Sequence, residues 1–205
     1  MKKIILFLSL FLVFTSVNAQ SFITTWKTDN PGTSNATSIT IPTTGGGYNY
    51  DVDWDNDGIF DEFGFMGNVT HDFTIAGTYT IRIQGTFPRI YFNDGGDKSK
   101  ILSVDQWGTI AWNSMNASFF GCNNLVINAA DTPNLSSVMD MNNMFMDASS
   151  LGGGVGNWNW NTSNVNSMGF LFQNATSFNQ DISSWNVSNV GGMESMFFGA
   201  TSFNQ

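Results

Sequence analysis

A methionine recurs at a nearly constant interval in the second half of the chain, at Met115, Met141, Met168 and Met193. The steps between these four residues are 26, 27 and 25 positions. Other residues keep a fixed distance from each methionine: a phenylalanine follows four positions later (Phe119, Phe145, Phe172, Phe197), and a small residue follows seven positions later (Cys122, Ala148, Ala175, Ala200). A unit of this length cannot bury its own apolar face, so the copies must pack against one another.

Each repeat has two parts with different periods. Apolar residues at offsets 0, 3, 4 and 7 from the methionine would share one face of an α-helix, which predicts about two helical turns. The remainder, for example residues 178–190, combines spaced apolar residues with β-branched ones and predicts a short strand plus a turn. Cys122 stands where the other copies have alanine, which indicates a small buried residue rather than a nucleophile.

These repeats resemble a known family. The segment Ser118–Leu125 (SFFGCNNL) resembles the A-F-x-x-C-x-x-L core of BspA-like leucine-rich repeats. Residues 168–190 are similar to the variant of about 25 residues found in BspA-family surface proteins of Bacteroidota and mycoplasmas. The resemblance covers roughly residues 100–205. It implies an α/β leucine-rich-repeat-like solenoid on a secreted or surface-displayed protein, often an adhesin.

The first half of the chain has a different pattern. Short alternating or β-branched runs separated by turn residues predict strands at Ser38–Pro42, Tyr48–Val52, Val69–Ile75 and Thr78–Ile83. Residues 50–58 and 71–81 resemble the W-x-x-G-D-G and H-x-F/Y-x-x-x-G-x-Y-x-V segments of PKD-like domains. That resemblance implies an immunoglobulin-like sandwich that serves as a spacer or binding module.

We therefore expect a multi-domain protein in which an all-β immunoglobulin/PKD-like sandwich precedes the α/β solenoid. The expected boundaries are a signal peptide at 1–19, the sandwich at 20–88, a transition that caps the solenoid at 89–114, and about three and a half repeats at 115–205, an incomplete array.

An acidic segment is the strongest chemical motif in the sequence. Asp53, Asp55 and Asp57 precede Gly58, and Asp61 and Glu62 follow it. Oxygen ligands at alternate positions beside a glycine turn suit Ca²⁺, so these five acids are candidate calcium ligands. An EF-hand loop would have glutamate at its twelfth position, where this chain has Gly64. A metal-free Asp/Gly-rich turn is the alternative. The flanking aromatic residues Trp54, Phe60 and Phe63 are interpreted as packing for the loop.

The N-terminus predicts export. Lys2 and Lys3 precede an apolar run over residues 4–14, and Val17-Asn18-Ala19 has the form of a signal-peptidase site. The run is shorter than the roughly 20 residues of a membrane-spanning helix, so no transmembrane segment is expected after cleavage. A net charge of −9 argues against nucleic acid, because phosphates require a positive field. We expect a protein or glycan partner at the cell surface or in the extracellular matrix.

Catalysis is not expected. His71 and Cys122 are the sole residues of their kinds and lie far apart in sequence, so no catalytic triad can be assembled from them. The predicted function is adhesion or recognition through the polar strand face of the repeats, with Asp181, Trp185, Asn186 and Ser188 as candidate contacts. Alternatives are a structural surface or stalk component without a specific ligand, or an accessory region of a larger secreted enzyme. Exposed positions that vary between repeats would favour recognition, and identical ones would favour structure.

Overall fold

The computed structural model describes residues 21–205. Its strands are β1 (Phe22–Lys27), β2 (Ser38–Ile41), β3 (Asn49–Asp53), β4 (Glu62–Phe65), β5 (Val69–Asp72), β6 (Thr78–Thr86), β7 (Ile101–Gln106) and β8 (Val126–Ile127). The one helical element among these residues is a three-residue 3-10 turn at Leu151–Gly153. The predicted signal peptide at residues 1–19 lies outside the described residues.

Six strands form one sheet in the order β4-β3-β6-β1-β7-β8. All neighbouring pairs are antiparallel except β7 and β8, which are parallel. A second sheet contains β2 and β5, with Ser38 opposite Asp72 and Ile41 opposite Val69. The four strands predicted in the first half of the chain are thus confirmed as β2, β3, β5 and β6.

The alternating sequence of β1 explains its position inside the larger sheet. Phe22, Thr24 and Trp26 are fully buried, whereas the residues between them are half-buried. Trp26 Nε1 donates a hydrogen bond to Thr24 Oγ1 at 2.8 Å, which satisfies two polar groups on the buried face. The polar side-chain groups on the buried face of β1 are therefore hydrogen-bonded, while its aromatic rings pack in the core and the strand pairs with β6 and β7.

The predicted helices of the repeats are wrong, because residues 21–205 contain no α-helix. Each repeat instead forms consecutive turns closed by i to i+3 hydrogen bonds, for example Met144 N–H to Met141 O and Ala148 N–H to Phe145 O. Two positions per repeat have a positive φ that an α-helix cannot contain. These are the second after the methionine (Ala117, Asn143, Phe170, Ser195) and the sixth (Gly121, Asp147, Asn174, Gly199).

Neighbouring repeats are joined through backbone hydrogen bonds and stacked rings. At the methionine position the N–H groups of Met115, Met141 and Met168 donate to the carbonyls of Asp140, Ser167 and Gly192, at 2.9–3.0 Å. The side chains of Phe119, Phe145, Phe172 and Phe197 stack with centroids 5.6–5.8 Å apart and ring planes within 15°. The residues predicted to face inward are buried in the first three repeats, Cys122 among them, but in the fourth repeat Met193 is 39% exposed and Phe197 is only partly buried.

Residues 21–205 form one β-rich domain, so the multi-domain sandwich-plus-solenoid prediction is wrong. A single cluster of buried residues extends from Phe22 to Met196. Trp107 lies at its centre, with its ring 5.8 Å from that of Phe22 in β1 and 6.2 Å from that of Phe119. Strand β8, which lies inside the repeats, also completes the larger sheet. The sheet therefore does not end at residue 88, as an independent sandwich would require.

In residues 21–205 we found no helix with the length and apolar character needed to cross a membrane.

Candidate functional site

The acidic segment forms the loop between β3 and β4, at one edge of the larger sheet. Positive φ angles at Asn56 (59°) and Gly58 (97°) bend the chain back on itself. Asp53 Oδ2 accepts the Gly58 N–H at 2.9 Å, and Asp61 Oδ2 accepts the Trp54 N–H at 2.8 Å. Two carboxylates of the loop therefore fix its conformation.

Three of the five predicted calcium ligands come together. Asp53, Asp55 and Asp61 each offer a carboxylate oxygen, and these atoms all lie within 4.8 Å of one another. Asp55 and Asp61 are exposed, whereas Asp53 is fully buried. The structure thus gathers two acids from before the glycine and one from after it.

The remaining two predicted ligands serve other contacts. Asp57 Oδ1 accepts the N–H of Ile59 at 2.7 Å, which closes a local turn. Glu62 Oε1 accepts from Trp54 Nε1 at 3.0 Å and lies 3.3 Å from His71 Nδ1. Both residues stay close in sequence to the cluster of three, but neither is part of it.

Asp53 has an incompletely paired carboxylate. Its Oδ1 atom is buried and has no hydrogen-bond partner in the described structure, while Arg82 Nε lies 3.8 Å from Oδ2. Burial raises the pKa of Asp53, and hydrogen bonds from the backbone of Gly58 and Asn56 together with the charge of Arg82 oppose that shift. An unpaired buried carboxylate oxygen is costly, since neither water nor a donor compensates its lost hydration.

A cleft of about 340 Å³ opens beside the acidic loop. Aromatic side chains line one part of it: the rings of Phe73 and Tyr79 stack with centroids 3.8 Å apart, and the half-buried His71 stacks on the buried Trp54 with centroids 4.3 Å apart. Exposed carboxylates of Asp55, Asp61, Glu62 and Asp72 line the other part. The cleft therefore joins ring faces with acceptor oxygens, as many sites for polar organic ligands do.

Apolar side chains also project from this region. Ile59 in the loop, Phe63 in β4 and Met66 just after it are 71%, 68% and 77% exposed. The interpretation of the flanking aromatic residues as packing holds for Trp54, which is 3% exposed, but is wrong for Phe63. Three large apolar side chains within eight residues are therefore left uncovered by the rest of the described structure.

The four candidate contacts in the repeats differ in what their side chains do. Asp181 is exposed and accepts the Ser183 N–H at 2.9 Å, which lowers the pKa of Asp181. Trp185 is buried, and its Nε1 donates to the carbonyl of Trp158 at 2.7 Å. Asn186 and Ser188 are exposed and bond each other, with the Ser188 N–H donating to Asn186 Oδ1 at 3.0 Å.

Reasoning from the sequence missed Arg82 and the lining of the cleft. Arg82 lies in β6 and reaches the loop, where it donates to Asn56 Oδ1 through Nε and Nη2 at 3.0 and 2.8 Å. That contact depends on the pairing of Asp53 with Arg82 across β3 and β6, which no local pattern reveals. Alternation around His71 and Phe73 in the sequence is the signal that could have placed both on one face of the chain.

The family model described as Mycoplasma protein of unknown function, DUF285, matches residues 98–205, more than half of the chain. The chain belongs to this family. The DUF285 segment contains β7, β8 and the four repeats, and its match is compatible with a repeat-containing surface protein. The expected identity, a BspA-family leucine-rich-repeat protein with a PKD-like domain, is therefore wrong. The family that matches is DUF285, and the matched segment contains no solenoid of helix-strand units. Searches of curated proteins and of solved structures gave no match.

Proposed function

We propose that this DUF285 protein is an exported, non-catalytic surface protein that recognises an extracellular protein or glycan through the β3–β4 hairpin and the adjacent cleft. The observation that carries the proposal is the exposure of Ile59, Phe63 and Met66 on that hairpin. Exposed apolar side chains lower solubility, so their concentration on one edge of an acidic protein is explained by a partner that covers them.

The cleft supports the same function by chemistry. Aromatic faces of Phe73 and Tyr79 can contact the apolar face of a sugar ring or of a side chain, and nearby carboxylates can accept its polar hydrogens. Glu62 lies close to His71 and Trp54, so the polar rim is held in place before a ligand binds. Preorganisation of this kind reduces the entropic cost of binding.

Retention of protein-coated beads on surfaces bearing matrix proteins or glycans tests the proposal. Phe63→Ser should reduce retention at least about tenfold, because a central apolar contact is worth roughly 1–2 kcal/mol or more. Phe198→Ser is the matched control, since Phe198 is 67% exposed but lies in the last repeat. Equal retention of protein-coated and bare beads on every surface would refute recognition. If Phe63→Ser and Phe198→Ser reduced retention equally, the binding contact would not be specific to the hairpin.

Export forms part of the proposal and rests on residues 1–19. The expected product of cleavage after Ala19 begins at Gln20. Mass spectrometry of the protein recovered from the producing cells and their medium tests this directly. A cytoplasmic protein that retains Met1 would contradict it.

A structural role is the second candidate, favoured by the repeats themselves. Three equivalent asparagines make the same turn contact: Asn134, Asn161 and Asn186 accept the N–H groups of Ser136, Ser163 and Ser188 at 3.0–3.2 Å. Asn164 and Asn189 each donate to a carbonyl of the preceding repeat, at 2.8 and 2.7 Å. Identical exposed positions that bond within the protein favour a scaffold. Regular arrays of the purified protein in electron micrographs, without retention on any coated surface, would support this role over recognition.

A further inference from the structure

We propose that Asp53, Asp55 and Asp61 bind one Ca²⁺ ion in the β3–β4 loop. Carboxylate oxygens of the three residues already lie within 4.8 Å of one another. Two ligands on opposite sides of one Ca²⁺ ion are at most about 4.8 Å apart, because Ca–O distances are about 2.4 Å. The three groups can therefore share an ion without a change in the path of the backbone.

A second, independent observation points to a ligand at this place. Asp53 is fully buried and its Oδ1 atom has no hydrogen-bond partner, although the same carboxylate belongs to the cluster of three. A buried carboxylate oxygen needs either a donor or a cation. A bound ion would contact this oxygen, which receives no hydrogen bond from the loop.

The surrounding charge also favours a cation. The loop and the start of β4 carry Asp53, Asp55, Asp57, Asp61 and Glu62, while Arg82 is the one cationic side chain of the described residues that pairs with a member of the cluster. One guanidinium cannot neutralise the three clustered carboxylates, and Asp57 and Glu62 add to the negative charge nearby. A divalent ion would reduce their mutual repulsion, since like charges within a few ångströms disfavour ionisation.

The chemistry of the ligands selects Ca²⁺ over other ions. The cluster offers carboxylate oxygens without sulfur or imidazole, which suits hard cations and not zinc or copper. Asp55 and Asp61 are exposed, so water can complete a coordination shell of six to eight oxygens. Mg²⁺ prefers one or two carboxylates and keeps several of its waters, so three carboxylates around one ion favour Ca²⁺.

Calorimetric titration with CaCl₂ of the protein beginning at Gln20, freed of metal with a chelator, tests the site. We expect one ion per chain with a dissociation constant on the order of 10⁻⁴–10⁻³ M, as in extracellular modules, and a rise in melting temperature. The double variant Asp55→Asn with Asp61→Asn should lose both effects. Asp57→Asn is the matched control, because it removes the same charge from the same loop outside the cluster.

The outcomes separate clearly. Binding by the wild type and by Asp57→Asn, with at least tenfold weaker binding by the double variant, supports the site. If the double variant fails to fold, judged by circular dichroism, the single variant Asp55→Asn replaces it, since its exposed carboxylate accepts one local N–H. No heat and no change in melting temperature of the wild type at about 10 mM CaCl₂ would overturn the inference, as would equal or tighter binding of Mg²⁺. None of these results depends on the bead-retention test of recognition.

Discussion

Trp107 and Trp160 meet edge to face, with 5.4 Å between ring centroids and an interplanar angle of 84°. Trp107 directly follows β7, whereas Trp160 lies between the second and third repeat methionines. Both rings are buried, so this contact joins the six-stranded sheet to the repeats through the core rather than at the surface. Unfolding of either part must break it.

We predict that Trp107→Ala destabilises the whole domain by about 3–5 kcal/mol, as large-to-small core changes do. The sheet and the repeats of this variant should still unfold in one transition in guanidinium chloride. Circular dichroism and protease resistance would both monitor that transition. A double-mutant cycle with Trp160→Ala should give a coupling of about 0.5–3 kcal/mol. Val155→Ala is the control, because Val155 is 87% exposed. Two separate transitions in the wild type would contradict a shared core.

Gly152 lies where a side chain has no room. A Cβ at this residue would be 1.8 Å from the carbonyl oxygen of Ser177 in the next repeat. Gly152→Ala should therefore force the backbones apart and lower the free energy of unfolding by about 1–3 kcal/mol or more. Gly46→Ala is the matched control, since a Cβ there meets nothing within 4 Å and φ is not positive. A stability in Gly152→Ala equal to that of the control would show that the turn can shift freely.

Lys100 is a buried cation held by neutral oxygens. Its Nζ donates to Ser34 Oγ and to the carbonyls of Ser34, Asn35 and Ser38, at 2.7–3.1 Å. Lys100→Met removes the donor that these acceptors share and the positive charge near the buried Asp97, and we expect a loss of about 2–5 kcal/mol in urea unfolding. Lys98→Met makes the same chemical change at a partly exposed position paired with Asp94 and should cost less than about 1 kcal/mol. Equal losses in the two variants would show that the carbonyls find other donors.

Tyr50 should make stability fall at alkaline pH. Burial raises the pKa of Tyr50 above its ordinary value of 10.0, and its Oη donates to the Gly67 carbonyl at 2.7 Å. A group whose pKa is raised in the folded state contributes stability that is complete below its unfolded pKa and is lost as pH rises above it. Wild type should therefore lose more stability than Tyr50→Phe between about pH 9 and pH 11 in denaturant titrations. Parallel pH profiles for the two proteins would contradict the prediction.

Burial in the repeats could be predicted from the sequence, but the backbone conformation could not. Offsets of 0, 3, 4 and 7 describe one face of a helix, yet successive three-residue turns bury the same positions in the first three repeats. The sixth residue after each methionine carries the signal that distinguishes them, since Gly121, Asp147, Asn174 and Gly199 are residue types that tolerate a left-handed φ. A helix would not place such a residue at that position in every copy.

The candidate site was predictable only in its composition. Spacing around Gly58 identified the acids, but which of them meet depends on the irregular pairing of Val52 with Glu62 across β3 and β4. Register shifts of that kind leave no local pattern in a sequence. Phe63 is exposed whereas Phe65 in the same strand packs against Tyr50, a difference of tertiary packing that the neighbouring residues do not reveal.

The position of Trp107 has a consequence for how such genes can recombine. A recombination event that joined residue 88 directly to residue 115 would remove β7, which lies between β1 and β8 in the sheet, and would remove the Trp107 ring that Trp160 contacts. Such a hybrid would inherit two incomplete cores. Beyond Trp160 each repeat meets its neighbours through the same phenylalanine stack and the same backbone hydrogen bonds, so a whole repeat can be gained or lost there with little effect on the rest. Evolution can therefore alter the length of this protein far more easily than it can exchange its first half.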